Sequence, residues 1–379
     1  MAFYGLIGVV LFIFFAVSSV ISINTSSGQI KISDSRFTLF IFVVVITIFV
    51  GYRGLTGSDT ITYQYFYHSN YYPIGMEAGY IFLSRTFSNL GFSFEFFEML
   101  IAIFTYVPLA LVLAKRTKNF AFSTFFLYLM GFIQYSLNIS RQMLAVSLFL
   151  LAADRLIDWY LGRKKTVSNM ILITLMFSFS ALIHSTAVYL GVILMFTLVG
   201  YKAILRRQRS FTLLGLVGLI WVLFNYHSDY FYNVLQNVST NRFVEKYSGF
   251  VTSNGANDLL NQKSPTVMFI GIAFSALLII LGVYCRNRSV DRVSEIYSLI
   301  MFDYVLVIGT QANWIADRLS YFLLPFVVII ISRLAFGSVV KSDGIRLLVV
   351  LIALFSGILN FYRITNGNFG NMIPYLPLL

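Results

Sequence analysis

The sequence predicts an all-α, polytopic integral membrane protein with about twelve transmembrane helices, within a range of roughly ten to fourteen. Three observations predict it. Of the 379 residues, 58% are apolar and only 11% are charged, against about 25% charged in an ordinary soluble domain. So few charges cannot solvate the surface of a fold this size. Mean hydropathy is +0.81. Apolar runs recur along the whole chain, and a bilayer crossing needs roughly 20 such residues. Soluble globular, disordered and collagen-like classes are excluded. No repeat or low-complexity tract stands out, so residues 1–379 read as a single transmembrane domain.

Taken in order, the first run, Phe3–Ile23, has no basic leader and no small-residue cleavage site, and it reads as a retained span. Further spans follow at Phe37–Tyr52, Phe94–Ala114, Phe120–Leu137, Ser140–Ile157, Ser168–Ile183, Ser185–Gly200, Phe211–Asn225, Thr266–Tyr284, Ser294–Gln311, Leu319–Phe336 and Gly344–Phe361. Two boundaries rest on arithmetic. As one helix, Ser168–Gly200 would run about 50 Å, whereas the hydrocarbon core is about 30 Å thick. Basic clusters flank both of its ends, so it folds back as a hairpin that bends near His184. The stretch Phe120–Ile157 folds back for the same reason, near Asn138.

Charge orients the chain. The formal balance is +12, which in a soluble protein would suggest nucleic acid; here the positive-inside rule accounts for most of it, and no nucleic-acid partner is expected. With both termini outside, the cytoplasmic loops hold Lys31 and Arg36; Lys115, Arg116 and Lys118; Arg163, Lys164 and Lys165; Lys202, Arg206, Arg207 and Arg209; Arg286, Arg288 and Arg292; and Arg333, Lys341 and Arg346. The outer side keeps Arg53, Arg85, Arg141, Arg242, Lys246, Lys263, Arg318 and Arg363. A single cysteine, Cys285, excludes an internal disulfide framework. Two long connections, about 53–93 and about 226–265, both fall outside. Long ordered loops of this kind are usually functional. The second mixes aromatic with amide residues, a composition that suits either sugars or the headgroup layer.

The outer cations are informative because positive-inside sorting should have removed them. Arg141 opens its span, where the helix start already carries about half a positive charge. An anion must share that site, and exposed N–H groups beside a guanidinium fork suit a phosphate. Arg318 stands in the same relation to its own span, with pairing to Asp317 as the alternative. Arg53 is followed by Gly54 and Gly57, which permit a tight turn close to a ligand; simple snorkelling to the interface is its alternative. His184 sits at the apex of a short hairpin whose legs, about 24 Å each, stop below the outer surface. It suits a general base, or else a histidine bonded to Ser185 or a carbonyl. Among outer carboxylates, Asp59 and Glu77 are placed to reach a substrate, whereas Glu95 and Glu98 begin a helix favourably. Nothing reads as a P-loop, a dinucleotide fingerprint or a zinc motif. No cofactor and no metal are expected.

In this order the residues resemble the EpsG-type (Wzy-like) bacterial polysaccharide polymerases. The resemblance is carried by Arg53-Gly54-x-x-Gly57-x-Asp59-x-x-x-Tyr63, then Glu77-Ala78-Gly79-Tyr80. Next come Asn138-x-x-Arg141-Gln142-x-Leu144-Ala145, His184-Ser185-x-Ala187, and Arg318-x-x-Tyr321-Phe322 with Pro325. Ala78 stands where a proline is commoner. The resemblance implies a GT-C-like inverting, metal-independent glycosyltransferase of the outer leaflet of the bacterial inner membrane. It would transfer a growing undecaprenyl-pyrophosphate-linked glycan onto the next lipid-linked repeat unit. Arg141, Arg318 and Arg53 would bind the pyrophosphate where charge develops. His184 would take the proton of the attacking hydroxyl, with Asp59 as the competing base. Glu77, Tyr63, Tyr80, Asn138, Gln142 and Tyr321 would contact substrate. Lipid-linked repeat units as donor and acceptor, membrane lipids and a Wzz-like chain-length regulator are the implied partners.

Two rival readings are an O-antigen ligase, which differs in acceptor, and a lipid-linked oligosaccharide flippase. A flippase predicts basic residues lining a path through the membrane and inverted repeats. Here the ionisable residues crowd the outer face.

Overall fold

Local signals set several helix ends. Ser93, Asn119 and Thr166 each precede a helix and accept, through the side chain, from the N–H three residues on, satisfying a donor that the helix start leaves orphaned. A computed structural model of the chain describes residues 2–24, 36–204, 291–309, 314–337 and 340–376. Among these residues the regular elements are all helical: α1 (Ala2–Asn24), α2 (Arg36–Gly51), α3 (Ser58–Ser69), α4 (Ala78–Asn89), α5 (Phe94–Arg116), α6 (Phe120–Leu129), α7 (Phe132–Ser136), α8 (Ser140–Tyr160), α9 (Val167–Ile183), α10 (Thr186–Ile204), α11 (Arg292–Gly309), α12 (Trp314–Phe336) and α13 (Asp343–Asn366). The spans expected at Phe211–Asn225 and Thr266–Tyr284, and the loop at about 226–265, lie outside the described residues.

The helices break between α7 and α8 and again at His184, and the connection after α2 carries α3 and α4. One expected span is built differently. Phe120–Leu137 is broken into α6 and α7 at Gly131, whose φ of 87° lies in the left-handed region that glycine tolerates. At 10 residues, α6 is about 15 Å long and cannot cross alone. The break survives because residues 120–140 are buried in protein rather than facing lipid.

Among the described residues, three helices are long and apolar enough to cross a bilayer, Phe94–Arg116, Arg318–Phe336 and Asp343–Asn366, with shorter apolar helices beside them. On α13, Leu347, Leu348, Leu351, Phe355 and Ile358 are all more than half exposed, a surface suited to lipid rather than water. This is a helical membrane protein.

The chain divides into two compact units. Met1–Tyr72, Glu77–Tyr189 and Val328–Leu379 form the first; Pro73–Met76 and Leu190–Val327 form the second. In the first, α5 and α9 pack on α8, α2 packs on α5, and α1 and α13 pack on α6. Lipid removes the hydrophobic drive between helices, so close contact and internal hydrogen bonds hold them. Ser180 Oγ donates to the Ala145 carbonyl at 2.7 Å, joining α9 to α8. The Tyr106 hydroxyl donates to Ser136 Oγ at 2.6 Å, joining α5 to α7.

One end of this unit is basic and locked. Lys115 reaches Asp154 at 2.6 Å and Asp158 at 2.7 Å. Arg116 pairs with Asp154, and with Asp158 at 2.7 Å. Arg333 donates to the Arg116 carbonyl at 2.8 Å. In the second unit, Thr197 Oγ1 donates to Asp303 at 2.7 Å and ties α10 to α11.

Candidate functional site

At the other end of α8, Arg141 occupies the first helical turn, where backbone N–H groups lack partners and the dipole is positive. The anion demanded there is Glu77. Arg141 Nη1 donates to Glu77 Oε2 at 2.8 Å. Glu77 Oε1 accepts from the Ser185 backbone N–H at 3.2 Å and from the Ser185 hydroxyl at 3.0 Å. Ser185 immediately precedes α10, so one carboxylate bridges the starts of two helices. The pair is nearly enclosed, with side chains 14% and 8% exposed. The rings of Tyr63 and Tyr80 lie 5.7 and 5.5 Å from the Arg141 guanidinium, a favourable cation–π distance.

His184, 3% exposed, adjoins this cluster through Ser185. Its Nδ1 accepts from the Thr186 N–H at 3.4 Å. With Nδ1 accepting, the neutral ring carries its proton on Nε2 and is a donor there.

Asn138 binds α3 to the start of α8. Its Oδ1 accepts from the Asp59 N–H at 2.9 Å and from the Ser58 hydroxyl at 3.3 Å. It thereby caps α3 from outside, because Gly57, the residue before that helix, offers no side chain. A Cβ at Gly57 would come 2.7 Å from the Leu137 carbonyl oxygen, and its φ is +90°, so close approach and backbone shape both require glycine. Asp59 is fixed beside the same helix start. The tail after α13 closes over this end: the Leu376 carbonyl accepts from the Thr56 hydroxyl at 3.2 Å, and Tyr375 stacks on Phe49 at 4.8 Å.

Arg53 is elsewhere occupied. It is 3% exposed and donates to Glu98 at 2.5 Å and to the Val50 carbonyl at 2.9 Å. Glu98, expected merely to begin a helix, closes this buried pair. Gln142 is buried beside Arg141. Arg318 and Tyr321 belong to the second unit. There α12 begins at Trp314, so Arg318 lies a turn inside its helix rather than at the start, because residues 314–317 extend the helix ahead of it. Tyr321 is 8% exposed.

Three buried polar atoms without a hydrogen-bond partner among the described residues collect around the Glu77–Arg141 pair: Arg141 Nε, the Tyr80 hydroxyl and the Ser140 hydroxyl. Burial, with Glu98 and Tyr63 nearby, pushes the Tyr80 phenol well above its ordinary range and keeps it a neutral donor. Sequence reasoning missed Ser185 as a partner of Glu77. Its position just before a helix, where serine is favoured, is the signal that was available.

A family model, the EpsG family, matches residues 36–376. The chain belongs to the EpsG family. This is a Wzy-like polymerase family, so the protein is a polysaccharide polymerase-type membrane protein, glycosyltransferase-like in chemistry, with lipid-linked sugars as substrates. No curated protein and no solved structure matches the chain. Within this EpsG-family chain the matched region takes in every site residue named above. The cluster at the start of α8 can hold an anionic group against a guanidinium, the Ser185 N–H ahead of α10 and neutral hydroxyl donors.

Proposed function

We propose that this EpsG-family protein extends a glycan carried on undecaprenyl pyrophosphate at the outer leaflet of the bacterial inner membrane, through about twelve crossings. The acceptor is the terminal sugar of the next lipid-linked repeat unit. Its hydroxyl oxygen attacks the anomeric carbon of the growing chain. The bond from that carbon to the pyrophosphate oxygen breaks with inversion, and undecaprenyl pyrophosphate leaves with the electron pair. Charge develops on the leaving diphosphate, and a fixed cation there lowers the barrier without a metal.

The observation that carries this reading is the anion site on α8, where the Arg141 guanidinium and the Ser185 N–H and hydroxyl converge on one carboxylate. The basic end of the same helix supports the orientation, since cations favour the cytoplasm. Arg318 is proposed as a second phosphate ligand. Arg53, enclosed with Glu98, acts in this proposal by holding α2 and α5 beside the site. The Nδ1 contact of His184 supports a reading in which Asp59 takes the proton and His184 donates to the diphosphate. Tyr63, Tyr80, Asn138 and Gln142 line or shape the pocket, and Tyr321 accompanies Arg318.

Deleting the gene should leave surface glycan one repeat long while export continues. Long chains surviving the deletion would refute the proposal. Purified protein given lipid-linked repeat units should make a size ladder whose new linkages have inverted anomeric configuration.

A further inference from the structure

We infer that Glu77 is a stand-in anion: without substrate its carboxylate fills the position of a donor phosphate, and donor binding exchanges one for the other. The inference rests on the phosphate-binding reading of Arg141 given above. The donors around Glu77 are of the kind that hold phosphates generally: a guanidinium, a backbone N–H at a helix start and a hydroxyl beside it. Glu77 occupies them with its two oxygens. Three more buried groups nearby, Arg141 Nε and the Tyr80 and Ser140 hydroxyls, have no hydrogen-bond partner among the described residues. A diphosphate offers many more acceptor oxygens than a carboxylate and could satisfy them as well.

Glu77 is also placed to leave. It stands at the start of α4 and makes no side-chain cap to that helix. The turn before it is open to solvent, with Tyr71 65% and Ile74 104% exposed. The carboxylate therefore swings on an exposed connection, whereas Arg141 is anchored in a helix packed on α5 and α9. Such an exchange keeps the arginine neutralised when the site is empty and makes the cluster specific for ligands that outcompete a tethered carboxylate.

The test titrates full-length protein in phosphatidylcholine nanodiscs with inorganic pyrophosphate, followed by calorimetry. Glu77→Gln should bind at least about tenfold more tightly than wild type, because removing a competitor that hides the site most of the time raises apparent affinity by the inverse of the open fraction. Arg141→Ala should abolish binding with either residue at 77. Equal or weaker binding by Glu77→Gln overturns the exchange and leaves the phosphate reading standing. Undiminished binding by Arg141→Ala overturns that reading itself. A tightening that vanishes in phosphatidylglycerol nanodiscs assigns the exchange to lipid headgroups and overturns the donor assignment. Hydrogen exchange on wild-type protein needs no variant: pyrophosphate should deprotect residues 70–77 while protecting the first turn of α8. Protection of both segments would refute the exchange.

Discussion

The two ends of α8 carry similar side chains and treat them differently. At the basic end, Asp154 and Asp158 receive Lys115 and Arg116, and Arg163 comes within 3.5 Å of Asp158. Asp154 and Asp158 are 2% and 9% exposed there, while Lys115 and Arg163 are 43% and 54% exposed, so two enclosed carboxylates are each held by more than one cation. At the other end, Arg141 pairs with Glu77, which it shares with the residue before α10, and among the described residues its Nε has no hydrogen-bond partner, beside two hydroxyls in the same condition. Among the described residues Asp158 Oδ1 also lacks a hydrogen-bond partner, so both ends keep an open atom, an acceptor at the basic end and donors at the other. Three cations share two carboxylates at the basic end, whereas the open groups beside Arg141 are donors that an anion could satisfy; that difference, rather than presence of charge, separates scaffold from site.

The largest effect expected from that contrast is on stability. Asp154→Ala strips Arg116, 6% exposed, of a partner and leaves a buried cation poorly matched, at a cost of about 3–5 kcal/mol. The thermal midpoint in detergent should fall, while turnover per folded molecule stays near wild type. Lost turnover with an unchanged midpoint would put the basic end in the site. Arg141→Ala should do the reverse. Polymerisation should drop about 10²–10³-fold, with a small shift in midpoint because Glu77 keeps its Ser185 donors. A collapse in midpoint would place Arg141 with the scaffold.

Within the site, Asp59→Asn should cost about 10²-fold in turnover. His184→Gln, which keeps an N–H donor, should cost less. The opposite ranking, measured by single-turnover glycan extension, would make His184 the proton acceptor. Asn138→Ala removes the borrowed cap of α3, worth about 1 kcal/mol. It should lower turnover through displaced Asp59 while substrate KM changes little.

Much of this contrast was legible beforehand. The helix breaks near Asn138 and at His184 fall where length against bilayer thickness put the ends of successive spans. An arginine at a helix start demands an anion, and one is present. What local pattern could not supply was the identity of that anion: Glu77 lies 64 residues from Arg141, and nothing in spacing says which outer carboxylate will arrive. The same limit hid the Arg53–Glu98 pair, since a glutamate in a first turn already has a local explanation in the helix dipole. Asp154 and Asp158 did carry a signal. Two carboxylates one turn apart at the end of a span share a face, and such a face needs cations from a neighbour. The break in the fourth span was hidden because Gly131 sits inside an unbroken apolar run.

The smallest expected effect is the sharpest separator, because here stability and activity should move in opposite directions. Tyr80 is 1% exposed and its hydroxyl has no hydrogen-bond partner among the described residues. An unsatisfied buried hydroxyl destabilises a fold, so Tyr80→Phe, which keeps the ring against Arg141, should leave the midpoint unchanged or raise it by up to about 1 kcal/mol in stability. If the hydroxyl is held ready for substrate, its loss also removes one neutral hydrogen bond, worth about 0.5–1.5 kcal/mol, or roughly two- to tenfold in KM for the lipid-linked donor. A more stable protein with a weaker grip on its donor is the signature of a group kept open for a ligand. A variant that is destabilised with unchanged KM would make Tyr80 a packing residue and leave Arg141 Nε and Ser140 as the open side of the site.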